Sequence, residues 1–129
     1  MPKLNEIYRC NICGNIVEIV GEGFWQLVCC GENMEFLIEQ NEDIWKEKHV
    51  PVVSRKNGTT VVNIGSQPHP MISEHYIQWV QLIGEKLSIK KFLQPGDHPE
   101  VEFENVDNEI IARQYCNLHW LRSNKKTSK

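Results

Sequence analysis

Apolar and branched residues beyond residue 49 fall into short segments separated by polar turns, and no stretch has the 3.6-residue apolar stripe of an amphipathic helix. One segment, Val101–Glu104, alternates apolar and polar residues as a half-buried strand does. Asn57-Gly58, a pair typical of two-residue hairpin turns, separates two of the strands that this pattern predicts. Tyr76–Ile83 mixes aromatic and branched residues, which indicates a strand covered on both faces. Beyond residue 49 the predicted strands are Val50–Lys56, Thr59–Ile64, Tyr76–Ile83, Ser88–Leu93, Val101–Glu104 and Ile110–Tyr115. Such short strands separated by turns predict a β-sandwich of about 80–90 residues.

The first 36 residues have a different pattern. They offer two short apolar segments, Ile16–Val20 and Gln26–Val28, which is too little for an independent hydrophobic core. Modules of this size usually depend on a bound metal or on disulfides. Residues 37–46 are acidic and irregular, which indicates a linker. The chain is therefore expected to consist of a metal-stabilised module at 1–36, a linker at 37–46 and a β-sandwich domain at 47–129.

Composition and charge exclude several classes of function. The 129 residues carry a net charge of −3, and no basic face of the kind that binds nucleic acid is evident. No apolar run is long enough to span a bilayer, and the N-terminal residues lack the pattern of a secretory signal. A cytoplasmic location follows as an expectation, and reduced thiols there are more often metal ligands than disulfides. The basic end, Arg122–Lys129, is expected to be a solvated tail.

Four of the five cysteines lie within the first thirty residues. Cys10 and Cys13 form a Cys-x-x-Cys-Gly knuckle, and the adjacent Cys29 and Cys30 supply a second pair. Four thiolates around a tetrahedral ion fit zinc or a mononuclear iron equally well. Neighbouring cysteines on one extended segment must twist to reach the same ion, so a distorted tetrahedron is expected.

A second group combines imidazoles with one thiolate, and all of its members lie at predicted strand ends or in loops. The group comprises His49, His69, His75, Cys116 and His119. Five ligands exceed the four of a structural zinc site, whereas an octahedral metal with five ligands keeps one open position for a small molecule. His98, in the turn between two prolines, is expected to be a surface residue.

These segments resemble a known family along almost the whole chain. Cys-x-x-Cys-Gly-Asn with the later Cys-Cys-Gly-x-x-Met resembles the desulforedoxin-type module. The segments that resemble desulfoferrodoxin, the two-iron superoxide reductase, are Glu47-Lys48-His49-Val50-Pro51, His69-Pro70-Met71, His75-Tyr76-Ile77-Gln78-Trp79 and Cys116-Asn117-x-His119. Two positions depart from the family pattern, because Trp120 stands where the family usually has glycine and Asn33 where it often has proline.

The resemblance implies an all-β fold, a desulforedoxin-like module followed by an immunoglobulin-like sandwich, and two iron ions per chain. One would be bound by Cys10, Cys13, Cys29 and Cys30. The other, ferrous, would have His49, His69, His75 and His119 in its equatorial plane and Cys116 as axial ligand.

The implied reaction is the one-electron reduction of superoxide to hydrogen peroxide. Lys48 is the candidate for attracting the anion, and Glu47 is expected to take the sixth position once the iron is ferric. A rubredoxin-like or other small electron donor and a homodimer are the implied partners.

Other functions remain open on the sequence alone. A zinc knuckle on an immunoglobulin-like adaptor would be a colourless binding protein with incidental histidines. An electron-transfer iron protein would use the sulfur site and leave the other centre closed. A non-haem oxygenase fits less well, because that class favours two histidines and a carboxylate.

Overall fold

The computed structural model describes residues 2–39, 51–64, 71–104, 110–117 and 120–123. The chain forms two compact units, Met1–Ile38 and Glu39–Lys129, so the boundary lies two residues beyond the expected end of the first module. Regular structure in the described ranges is entirely β, which confirms the predicted fold class. In these ranges no helix is long and apolar enough to cross a membrane.

The N-terminal unit contains five short strands: β1 (Ile7–Arg9), β2 (Ile16–Glu18), β3 (Val28–Cys29), β4 (Glu32–Asn33) and β5 (Glu35–Phe36). Strand β1 lies between β2 and β5 in one antiparallel sheet, and β3 pairs with β4 in a hairpin. The hydrophobic side chains buried in this unit are few, namely Ile7, Cys10, Ile19 and Leu37. A core of this size does not stabilise a unit of 38 residues without a further constraint.

The second unit contains seven strands: β6 (Pro51–Lys56), β7 (Thr59–Ile64), β8 (Ile77–Gly84), β9 (Leu87–Phe92), β10 (Glu100–Phe103), β11 (Ile111–Cys116) and β12 (Trp120–Ser123). They form two antiparallel sheets with the orders β10-β7-β6 and β12-β11-β8-β9. The six predicted strands are present, each within one residue of its predicted bounds. Asn57 and Gly58 have φ angles of 47° and 80°, the left-handed values that a type I′ hairpin turn requires.

Side chains from both sheets meet in one hydrophobic core. The β10-β7-β6 sheet contributes Val62, Ile64 and Phe103, and the other sheet contributes Val80, Leu82 and Ala112, all at most 1% exposed. This arrangement is that of a β-sandwich, in which alternate residues of each strand point between the sheets.

The opposite face of β8 and β11 is covered as well. The rings of Trp79 and Tyr115 stack with centroids 5.9 Å apart. Beside them, Arg113 donates from Nε to Oε1 of Gln81 at 2.6 Å and from Nη1 to Oε1 of Glu39 at 3.0 Å. The prediction that the Tyr76–Ile83 strand, observed as β8, is covered on both faces is confirmed.

Strand β12 corrects the expectation of a solvated tail from Arg122 onwards. Arg122 is 5% exposed and Ser123 is fully buried, because β12 pairs along β11. The Arg122 guanidinium donates to the carbonyl of Leu121 at 3.2 Å. The backbone of this strand is paired with β11, and a segment of only four residues gives no periodic signal that would predict this pairing from the sequence.

Candidate metal centres

The sulfur atoms of the four N-terminal cysteines converge in the first unit. The Sγ atoms of Cys10, Cys13, Cys29 and Cys30 all lie within 4.8 Å of one another. Cys13 Sγ is 3.6 Å from Cys29 Sγ, which is 3.9 Å from Cys30 Sγ. A tetrahedral ion with metal–sulfur bonds of about 2.3 Å needs sulfur atoms about 3.8 Å apart. The four side chains therefore fit a single tetrahedral metal ion.

A tight turn brings the first pair together. The N–H of Gly14 donates to the carbonyl of Cys10 at 2.9 Å, and Gly14 has a φ of 84°, a left-handed value that glycine adopts without steric cost. The N–H of Cys13 lies 3.5 Å from Cys10 Sγ. The turn therefore brings the sulfurs of Cys10 and Cys13 to the same site, and the N–H of Cys13 points at the Cys10 sulfur.

The second pair is brought together by a hairpin. Cys29 is the last residue of β3, while Cys30 and Gly31 have φ angles of 54° and 80°. Two consecutive left-handed residues between paired strands form a type I′ turn. Cys29 ends the strand and Cys30 is the first of the two turn residues, so both sulfurs reach the same site. The left-handed turn at Cys30 and Gly31 is the backbone twist expected where two adjacent cysteines bind one ion.

Hydrogen bonds shift the pKa values of the Cys10 and Cys30 thiols in opposite directions. The pKa of the Cys10 thiol falls to about 6, chiefly because the backbone N–H groups of Cys13 and then Ile12 donate hydrogen bonds to its sulfur. Hydrogen bonds with Cys13 and then Cys29 raise the pKa of the Cys30 thiol to about 12. The metal-free cluster therefore keeps protons at neutral pH, and a metal ion displaces them on binding.

Two members of the proposed second site, His75 and Cys116, lie in the described ranges. Cys116 is fully buried at the end of β11, and His75 is 8% exposed, with its Nε2 atom buried. The other proposed residues, Glu47, Lys48, His49, His69 and His119, lie outside the described residues. His98 has a side chain that is 73% exposed, as predicted for a surface residue.

Strand pairing places Cys116 and His75 at the same end of the β12-β11-β8-β9 sheet. Tyr115 pairs with Trp79 and Cys116 with Ile77, so β8 carries one extra residue, Gln78, at this point. Such β-bulges redirect side chains and are frequent beside functional sites. Cys116 therefore lies opposite a residue only two positions after His75.

The backbone around His75 is fixed by local hydrogen bonds. Ile72 and His75 exchange two N–H···O bonds of 3.0 Å each, which closes a short turn. The N–H of Ile77 donates to the Met71 sulfur at 3.5 Å. A buried imidazole and a buried thiol at one sheet end fit a nitrogen- and sulfur-ligated transition metal.

Asn117 lies between the proposed ligands Cys116 and His119 and has no role predicted from the sequence. Its Oδ1 accepts from the N–H of Tyr76 at 2.9 Å, and its Nδ2 donates to the carbonyl of Glu74 at 3.0 Å. The available signal was an amide side chain two residues after a predicted strand and between two candidate ligands.

Both units match known proteins. The family model for the desulfoferrodoxin N-terminal domain matches residues 2–37, and the desulfoferrodoxin model matches residues 41–125. The desulfoferrodoxin of Nitratidesulfovibrio vulgaris is 49% identical over 119 residues, which are 92% of this chain and 94% of that protein. A desulfoferrodoxin homologue of Methanothermobacter thermautotrophicus is 45% identical over 94% of this chain and 98% of its own.

Solved structures agree with the sequence matches. The superoxide reductase from Treponema pallidum aligns with a TM-score of 0.73 and 29% identity, and the alignment covers 93% of this chain and 96% of that protein. The superoxide reductase from Giardia intestinalis aligns with a TM-score of 0.53 and 29% identity over 61% of this chain and 96% of that chain. On the strength of matches that include both metal-site regions, the chain belongs to the desulfoferrodoxin family.

Proposed function

We propose that this protein is a superoxide reductase, which combines superoxide with one electron and two protons to form hydrogen peroxide. The observation that carries the proposal is the burial of both Cys116 and His75 at the same end of one sheet. It lies in a unit related to proteins described as superoxide reductases, such as that of Treponema pallidum. A zinc-binding adaptor would not require a buried thiol and imidazole at this second position.

The residues proposed to bind the catalytic iron are His49, His69, His75, His119 and Cys116. Bound there in its ferrous state, iron supplies the electron that reduces superoxide. Four neutral imidazoles and one thiolate leave a net charge of +1 at the site, which attracts an anion. The Lys48 ammonium would add to this attraction, and the Glu47 carboxylate would serve as an additional iron ligand in the oxidised resting protein.

The cysteine cluster is proposed to bind the second iron, giving two irons per chain. Cys13 and Cys30 are exposed while Cys10 is buried, so one edge of the sulfur site faces solvent. An exposed thiolate edge suits electron transfer from a small protein, and a rubredoxin-like protein is the proposed donor. None of the five cysteines, all of them described, forms a disulfide, in keeping with the reducing cytoplasm proposed as its compartment.

A homodimer is the proposed assembly. The N-terminal unit exposes large apolar side chains, with Val20 83%, Phe24 77% and Trp25 86% exposed. Exposed apolar residues grouped in one segment are typical of protein–protein contacts. Sedimentation equilibrium of the intact protein and of Trp25→Ser tests this assembly. A wild-type dimer that Trp25→Ser weakens is expected, and a wild-type monomer at micromolar concentration would refute it.

Iron analysis of anaerobically purified protein tests the two proposed centres. Two irons per chain are expected in the wild type. His75→Ala is expected to retain the iron of the cysteine cluster and to lose the other iron together with superoxide consumption. His98→Ala is the matched control, since that imidazole is exposed, and it should keep both irons. Full iron content and wild-type superoxide consumption in His75→Ala would contradict the proposed site.

A further inference from the structure

Three hydrogen bonds connect Asn117 to the segment that carries His75. Besides the two bonds of its side chain to Tyr76 and Glu74, its backbone N–H donates to the carbonyl of Tyr76 at 3.2 Å. The side-chain bonds therefore end on the residues immediately before and after His75. Asn117 itself directly follows Cys116, so one residue connects the backbones of two proposed metal ligands.

We propose that Asn117 is a positioning residue that fixes Cys116 and His75 relative to each other before the metal binds. The inference rests on the proposed function, because it concerns two of the five ligands of the catalytic iron. It goes beyond that function in assigning the preorganisation of the site to an amide that does not itself bind the metal.

The geometry of an amide explains why asparagine suits this position. The donor and the acceptor lie on one planar group, so the side chain meets the N–H of Tyr76 and the carbonyl of Glu74, two residues apart, at once. Hydrophobic packing does not fix the Glu74–Tyr76 segment alone, because Tyr76 is half-buried and Glu74 is exposed. The bulge at Gln78 also removes one regular pair of the β8–β11 ladder close to the site. The hydrogen bonds of the Asn117 side-chain amide connect the end of β11 to the Glu74–Tyr76 segment just beyond this bulge.

The same side chain lies beside the proposed axial ligand. Asn117 Oδ1 is 4.0 Å from Cys116 Sγ. The negative end of an amide dipole near a thiolate raises the energy of the sulfur electrons. Truncating the side chain should therefore move the thiolate-to-ferric charge-transfer band of this site to shorter wavelength. A residue that only stabilised the fold would leave this band in place.

Asn117→Ala, Asn117→Asp and the control Asn63→Ala separate these effects. Asn63 is a half-buried residue of β7 in the opposite sheet, so the control makes the same truncation without removing a bond to the Glu74–Tyr76 segment. Residues that orient metal ligands change affinity by about 10–100-fold when substituted. Asn117→Ala is expected to lose the nitrogen-ligated iron to a chelator about 10–100-fold faster than wild type, with the cysteine-bound iron unaffected. Mössbauer spectra distinguish the two irons by their ligands.

Hydrogen exchange of the Tyr76 amide in the metal-free protein provides a second readout. Asn117→Asp keeps an acceptor for that N–H but loses the donor to the Glu74 carbonyl. It should protect Tyr76 like wild type yet lose iron faster, whereas Asn117→Ala should lose both protection and iron. Asn117→Asp alone decides the question if the alanine variant does not fold.

Wild-type iron retention in both Asn117 variants, or equal iron loss in Asn63→Ala, would overturn the positioning role. A wild-type protein that takes up no nitrogen-ligated iron would instead refute the proposed function. The exchange rate of the Tyr76 amide would then still decide whether Asn117 fixes this segment.

Discussion

Gly31→Ala tests whether metal binding folds the N-terminal unit. Gly31 has a φ of 80°, and a methyl group added there would meet no atom within 4 Å. The substitution therefore adds backbone strain without a steric clash. A left-handed conformation costs a residue with a Cβ about 1–2 kcal/mol.

This strain should appear in the metal affinity of the cysteine cluster. With so few buried side chains, the unit is expected to gain most of its folding free energy from the metal. If residue 31 adopts its left-handed conformation only when the metal binds, the whole strain energy of the alanine variant is subtracted from the binding free energy. A loss of about 1–2 kcal/mol corresponds to metal affinity that is weaker by a factor of about 5–30. Competition with a chromophoric chelator for zinc, which the four thiolates also bind, measures that factor on the full chain.

Gly58→Ala is the matched control for this experiment. Gly58 also has a φ of 80° with no atom within 4 Å of an added Cβ, and it lies in a type I′ turn of the sandwich. It should lower the stability of the second unit by a similar amount and leave zinc affinity at the cysteines unchanged. Unchanged zinc affinity in Gly31→Ala would refute the reasoning, because the hairpin would then be formed before the metal binds.

Four further predictions concern the core and the two centres. Leu82→Ala removes a fully buried side chain from the sandwich core and should lower the free energy of unfolding by about 2–5 kcal/mol in a denaturant titration; a loss below about 1 kcal/mol would mean that the core collapses around the cavity. Metal binding at neutral pH should release protons from the Cys29 and Cys30 thiols, whose pKa values are raised, so zinc affinity should increase with pH; a pH-independent affinity would show that the cluster is already deprotonated. Lys48→Ala should slow the reaction with superoxide and reduce its salt dependence, and an unchanged rate at low salt would exclude steering. Glu47→Ala should leave fast superoxide consumption largely intact and change the resting ferric spectrum, and a large loss of the bimolecular rate would contradict its assignment.

The sequence predicted the sandwich well because most of its strands span six to eight residues, against two or three residues in the N-terminal unit. The branched residues of Thr59–Ile64 and the Asn57-Gly58 turn specify a hairpin by purely local chemistry. The N-terminal unit was harder to predict, because strands of two or three residues such as β4 and β5 carry no periodic signal. Their pairing depends on long-range contacts and on the turn at Cys30-Gly31, whose left-handed cysteine has no common sequence signature.

The candidate sites likewise contain features that the local sequence predicts and features that depend on contacts between distant segments. Cysteine spacing identified the four-sulfur cluster, because a knuckle and an adjacent pair within thirty residues confine four thiols to one small unit. The role of Asn117 could not be predicted, since it depends on a bulge in β8 and on the fold of a turn about forty residues away. Similarly, the burial of Arg113 follows from its partners Gln81 and Glu39, which the local sequence does not indicate.

The yield of hydrogen peroxide per superoxide consumed tests the central proposal most directly. The fully reduced, iron-loaded protein is mixed anaerobically with less than one equivalent of superoxide, and peroxide is then measured. A reductase forms one peroxide for each superoxide and releases no dioxygen, with one ferrous iron oxidised each time. One peroxide for every two superoxide ions, with dioxygen release, would identify a dismutase, and no acceleration over the spontaneous decay of superoxide would contradict the account.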